Sequence, residues 1–178
     1  MSREQAIARA ERYFDDGGFT ADLARRVAIP TESQNPERMA DLVRYLRGEM
    51  QPSFERQGFR CRVLENPAAI GGPFLFAERI EDPVLVTVLS YGHGDVIRGQ
   101  DGQWRKGLDP WKLTREGERL YGRGTADNKG QHTINLAAAQ AAIEARGMLG
   151  FNLKVLIETG EEVGSPGLRE VCEKHRDL

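Results

Sequence analysis

The sequence predicts an α/β fold with three αβα layers around a mostly parallel central sheet. Three observations carry that prediction. Helical periodicity fills the N-terminal part of the chain, and PVLVTVLSY (83–91) is a nearly continuous apolar run of the kind found in buried parallel strands. An Ala-rich helical stretch then separates that run from a second strand, FNLKVLIE (151–158). Strand, helix and strand in this order make a crossover unit, and ligands of such sheets gather beyond the carboxyl ends of the strands.

Ala6, Ala10, Tyr13 and Phe14 recur at helical spacing, as do Phe19, Leu23 and Val27, so two amphipathic helices are expected to meet at Asp16-Gly17-Gly18. Asn35 is placed to cap a third helix, with Pro36 at its first position and Met39, Leu42, Val43 and Leu46 as its apolar stripe. FRCRVL (59–64) alternates as a strand does, and GGPFLFAERI (71–80) is strand-like after its glycines. The polar stretch from Gly99 to Gly117 reads as a long ordered loop anchored by Trp104 and Trp111. From Asn128 to about Arg146, Ile134, Ala137, Ala138, Ala141 and Ala145 share one face and Leu136 and Ile143 another of a largely buried helix that Gly147 stops. Phe151, Leu153, Val155 and Ile157 share a face of the following strand, which points at Glu161-Glu162, and a last helix is expected from Gly164 or Ser165 onward.

With 178 residues, 39% hydrophobic and 29% charged, the chain has the apolar content for one compact core. A formal net charge of -2, with both signs interspersed, offers no basic stripe for nucleic acid and no polybasic membrane anchor. MSREQAIARA lacks the apolar core of a signal segment and the longest apolar run is too short to span a bilayer, so the expected address is cytoplasmic. Cys61 and Cys172 lie far apart without a CxxC partner, which supports neither a disulfide framework nor a thiolate zinc site, and both read as inert core thiols.

His93, Asp127 and the Glu161-Glu162 pair each stand just beyond a strand-like or turn-like stretch, in SYGHGD, YGRGTADNKG and ETGEEVGS. Zinc accepts imidazole nitrogen and carboxylate oxygen, and a paired site needs one carboxylate to bridge two ions about 3.5–4 Å apart. In the His-x-Asp triplet, His93 offers one ring nitrogen to a metal while Asp95 is placed to accept the other ring N–H. Of two adjacent glutamates, one can bind metal and the other can carry a proton. Taken singly the fragments have plainer readings: Asp127 as a helix N-cap, the glutamates as solvated surface.

As a set, YGHGDV, DPWKLTREGERLYGRGTADNKG and LIETGEEVGSPGL, spanning about Val84 to Leu168, resemble the M20 family of zinc aminopeptidases, carboxypeptidases, dipeptidases and N-acyl-amino-acid amidohydrolases. The middle stretch is most similar to the carnosinase-like dipeptidase branch. The resemblance implies a zinc-peptidase-like fold in which His93 binds one zinc, Asp127 bridges both, Glu162 binds the other, Glu161 is the general base and Asp95 orients His93. It further implies a cis peptide bond between Asp127 and Asn128. Gly92 and Gly94 around His93 depart mildly from the family's usual Gly-His-Leu/Thr-Asp without touching a ligand. Cobalt or manganese could replace zinc, and the substrate would be a small peptide or an N-acyl amino acid.

Members of the family also carry a further acidic ligand, a late histidine, and a lid and dimerisation domain. Residues 1–178 are therefore expected to be the N-terminal portion of the catalytic domain of a longer protein that is a homodimer through the remaining domain. Each ion would find two protein ligands here where catalytic zinc usually has three, so this portion alone is expected to be metal-poor and inactive. His175 and Asp177 read as parts of a solvated final helix, and His132 as a helix-face residue, rather than as substitutes. Two other readings are a silent, non-enzymatic homologue and a nucleotide-binding module built on GRGTADNKG, whose spacing matches neither GxxxxGK[ST] nor GxGxxG.

Overall fold

The apolar spacing of the N-terminal part folds as helix α1 (Arg3–Asp15) and helix α2 (Gly18–Val27), separated by Gly17 at a φ of 83°. This computed structural model describes residues 3–178. Leu23 and Val27 of α2 are buried, but α1 buries no residue fully, and Phe14 remains half-exposed beside Phe19. Asn35 caps the next segment through its Oδ1, which accepts the Glu37 N–H at 3.2 Å. A single 3-10 turn (Pro36–Arg38) leads into α3 (Met39–Arg44), and the rod continues through a wide π-helical turn (Tyr45–Met50) into α4 (Gln51–Glu55). Along it Leu42, Tyr45, Leu46, Met50 and Phe54 are all buried, so one continuous stripe faces the sheet.

Strands β1 (Arg60–Leu64), β2 (Phe74–Arg79), β3 (Thr87–His93) and β6 (Asn152–Glu158) form one sheet in the order β1-β2-β6-β3. Helix α5 (Lys129–Arg146) and the α3–α4 rod cover one face, where Leu136 meets Leu75, Ala77, Val155 and Ile157. Helix α6 (Leu168–Lys174) covers the other, packing Val171 against Leu64, Phe74 and Phe76. The α/β class and the three layers are as expected. Within them the sheet is mixed rather than mostly parallel: β1-β2 and β2-β6 are antiparallel, and only β3-β6 is parallel. The physical reason is connection length, because β3 reaches β6 through a whole helix whereas β1 reaches β2 through a short loop.

Strand β3 also departs from the buried reading of its apolar run. It begins only at Thr87, pairs on one side with β6, and leaves Val86 70% and Leu89 68% exposed. An apolar run buries fully only when both faces and both edges are covered, and here one edge stays open.

The stretch read as one long loop contains a 3-10 turn (Asp101–Gln103) and strand β4 (Thr114–Glu116), which turns at Gly117, φ 60°, into a hairpin with β5 (Arg119–Tyr121). Gly-Glu between two short alternating segments was the turn signal for it. Both tryptophans anchor this stretch: Trp104 Nε1 donates to the Gly99 carbonyl at 2.7 Å and Trp111 Nε1 to Asp101 Oδ1 at 3.0 Å. Cys61 is half-buried, and burial, aided by Glu55, pushes its thiol up to about 12, which makes it unreactive, whereas Cys172 is exposed.

Glu81 fastens the end of β2 to the α5–β6 connection. Its Oε1 accepts the Leu149 N–H at 2.6 Å, its Oε2 accepts the Gly150 N–H at 2.8 Å, and Arg79 Nε lies 3.0 Å away. Burial alone would raise its proton affinity, but the two amides and Arg79 outweigh it and hold the carboxyl below its usual 4.5. A carboxyl lowered in the folded state stabilises above its unfolded value and loses that contribution as the pH falls through the folded one. Glu81→Ala is expected to cost about 2–3 kcal/mol at pH 7 by urea denaturation. The gap to wild type should shrink as the pH drops below about 4.5.

Candidate metal centre

His93 ends β3, Glu158 ends β6, and the ladder extends one step further as the Gly94 N–H donates to the Glu158 carbonyl at 2.8 Å. Both strands thus deliver their last residues to one rim. The backbone around His93 is closely packed: a Cβ on Gly92 would stand 2.9 Å from Asn128 Oδ1, and one on Gly94 2.6 Å from the Tyr45 ring. Glycine at both places lets the strand end, the start of α5 and the α3–α4 rod meet.

His93 is buried, with Nε2 3.0 Å from Asp127 Oδ1 and 3.9 Å from Glu161 Oε2. One ligand atom each from His93, Glu161 and Glu162 lies within 4.8 Å of the others, a spacing that a single divalent cation can span. Asp127 stands at the N-terminal approach to α5, and the Asp127–Asn128 peptide bond is cis, as the resemblance implies. His175 and Asp177 lie at the end of α6, outside this cluster. His132 is buried and bonded to the Tyr45 hydroxyl. Burial, with Arg26 and Lys129 nearby, depresses its proton affinity well below the usual value.

The electrostatics favour a cation at the rim. Burial opposes charge on His93, yet the carboxylates of Asp95 and Asp127 outweigh it and push the imidazole up to about 9. Burial, reinforced by Asp95, Glu161 and Asp127, likewise raises the Glu162 carboxyl against the pull of His93. The same concentration of carboxylates repels phosphate, which argues against the nucleotide cradle at Gly122–Gly130.

Asp95 is fully buried, and its contacts are richer than its place two residues after His93 suggests. His93 Nδ1 lies 3.1 Å from its backbone carbonyl and 3.4 Å from its Oδ1. The carboxylate also accepts two main-chain amides, Glu161 N–H on Oδ1 at 3.2 Å and Glu162 N–H on Oδ2 at 3.1 Å. One buried group therefore touches the histidine and seats both glutamates.

Two residues near the rim escaped the sequence reading. Lys129 is fully buried, its Nζ donating to the carbonyls of Arg26 at 3.0 Å and Ile29 at 2.7 Å above the Tyr45 ring. It ties the start of α5, just after Asp127, to the end of α2. Glu158 is buried as well, raised by burial, and bonded to Tyr91 and Ser165. A lysine in a polar glycine-rich motif and a glutamate closing a strand both look like surface residues, so no local signal marked them.

Beside Asp127 and Glu162 a recess of about 360 Å³ opens, lined also by Ile97, Arg123, Thr125 and Ala126. Among the described residues no helix is long and apolar enough to cross a membrane.

Known proteins share the fold and much of the sequence. Human Beta-Ala-His dipeptidase is 43% identical over 108 residues, covering 59% of this chain and 20% of the relative. Cys-Gly metallodipeptidase dug1 of Schizosaccharomyces pombe is 32% identical over 166 residues, 86% of this chain and 33% of the relative. The crystal structure of human carnosine dipeptidase 1 superposes with a TM-score of 0.85 at 33% identity, covering 98% of this chain and 38% of that one. The chain thus spans between a fifth and two fifths of the length of these relatives. Residues 89–178, which hold the whole rim, match the Peptidase family M20/M25/M40, and the chain belongs to that family.

Proposed function

We propose that this chain is the metal-bearing N-terminal portion of a catalytic domain that hydrolyses amide bonds in small substrates, dipeptides first and N-acyl amino acids second. The observation that carries the reading is the convergence of His93, Asp127, Glu161 and Glu162 from three distant segments on one rim beyond the ends of β3 and β6. An imidazole and several carboxylates suit zinc or a similar divalent ion. His93, Asp127 and Glu162 would hold such ions as ligands.

When bound, divalent ions there would acidify a water and offset charge on the carbonyl oxygen. The chain's own residues do the rest. Glu161 takes the proton of the attacking water and delivers it to the leaving amine. Asp95 holds Glu161 and Glu162 in place through their amides. The recess beside Asp127 gives room for a substrate side chain. That dipeptidases recur among the relatives supports dipeptides as the first substrate class.

With two protein ligands per ion, the 178-residue chain alone is expected to hold zinc weakly and to leave dipeptides intact. Zinc competition against a chromophoric chelator tests the site: binding by wild type should vanish in His93→Ala and Asp127→Ala. Equal binding in all three would remove the metal centre. Stoichiometric zinc together with dipeptide turnover by the 178-residue chain would instead overturn its expected silence.

A further inference from the structure

Glu158 is a buried carboxylate to which no role in the reaction has been given. Its Oε1 accepts two hydroxyls, from Tyr91 at 2.5 Å and from Ser165 at 2.9 Å, while its Oε2 has no partner. The two donors come from opposite sides of the rim. Tyr91 lies on β3 two residues before His93, and Ser165 follows the short turn that carries Glu161 and Glu162. Ser165 sits at a φ of 53°, a backbone conformation that non-glycine residues adopt rarely. Its N–H returns to the Gly160 carbonyl at 2.9 Å, so the turn is closed on itself.

We infer that Glu158 is a positioning residue: by gripping Tyr91 and Ser165 with one oxygen, it locks the Glu161–Glu162 turn to the strand that presents His93. Asp95 pins the front of the turn through the amides of Glu161 and Glu162, and Glu158 pins its far end. The relative placement of imidazole and glutamates then depends on two buried carboxylates rather than on the exposed turn itself. The functional part of the inference rests on the rim being a metal centre, whereas the mechanical part does not.

Only one oxygen of Glu158 is used, so glutamine, which keeps a carbonyl acceptor, preserves the grip, and leucine of similar bulk abolishes it. Two measurements on the 178-residue chain test this: amide hydrogen exchange by NMR, and zinc affinity by chelator competition. Glu158→Leu is expected to speed exchange at the Glu161 and Glu162 amides by about tenfold or more, with Val155 and Ile157 within about twofold of wild type. It should weaken zinc by about 10–100-fold, the usual cost of losing a partner that orients ligands. Glu158→Gln should restore both quantities to near wild type.

Wild-type exchange at Glu161 and Glu162 in the leucine variant would overturn the inference. So would an equal rise in exchange across the chain, which marks general destabilisation, or a glutamine variant no better than leucine. Zinc affinity equal in the leucine variant and wild type would remove the functional half. If wild type binds no zinc, the metal reading fails by itself and amide exchange still decides the role of Glu158.

Discussion

On the proposed function, Glu161→Gln in a longer protein containing this chain is expected to lower amide hydrolysis by about 10²–10⁴-fold, the contribution of a well-placed proton carrier, while zinc stays bound. Glutamine matches glutamate in shape and keeps an oxygen toward the rim, but it cannot accept the proton of water at neutral pH. The position of Glu161 makes this a real test. Its Oε2 is 3.9 Å from His93 Nε2, and it belongs with His93 and Glu162 to the group whose atoms can share one ion. Turnover and bound metal, measured together on the same preparation, separate the two roles. Loss of both would make Glu161 a ligand, and retained turnover would remove it as the base.

Asp95→Ala should be the most damaging change at the rim for the fold. The residue is fully buried and accepts the amides of Glu161 and Glu162, and its removal leaves both N–H groups without their acceptor. An unsatisfied donor shut away from water costs about 1–3 kcal/mol, and because these two amides are only part-buried they cost about 2–3 kcal/mol together. Urea denaturation of the 178-residue chain should show that loss, and zinc affinity should fall with it because both glutamates and His93 lose a common support. Unfolding free energies within about 0.5 kcal/mol of each other, the range of a neutral surface change, would mean the turn holds its shape without Asp95. Asp95→Asn is the informative companion, since one oxygen can keep one amide while its NH2 group confronts the other.

These two residues illustrate how far local pattern reaches. The helix over residues 129–146 and the alternation in β1 and β6 were legible because helix and strand periods repeat over several side chains. The expected helix face was not the buried one: Ile134 and Ala138 are exposed, and the buried stripe runs through His132, Thr133, Leu136 and Ala139 to Ala145 because that side meets the sheet. The rim was legible in outline because His93, Asp127, Glu161 and Glu162 each sit at the end of a readable element, and strand ends of an α/β sheet gather on one edge. The second task of Asp95, holding amides 66 and 67 residues away, has no counterpart in its own neighbourhood. Lys129 and Glu158 were hidden for the same reason, as buried ionic groups whose partners lie on other elements.

The amino-acid order by itself determined the α/β class, the main helices and the strands of the large sheet but not the β4–β5 hairpin, the family motifs and the four side chains of the rim, since these are encoded in runs of neighbouring residues. Only the tertiary structure decided that the sheet is mixed, that β3 lies at an open edge, and that two buried carboxylates seat the Glu161–Glu162 turn. Strand direction, burial and hydrogen-bond partners are properties of contacts between segments distant in sequence, and they exist only once those segments are packed together.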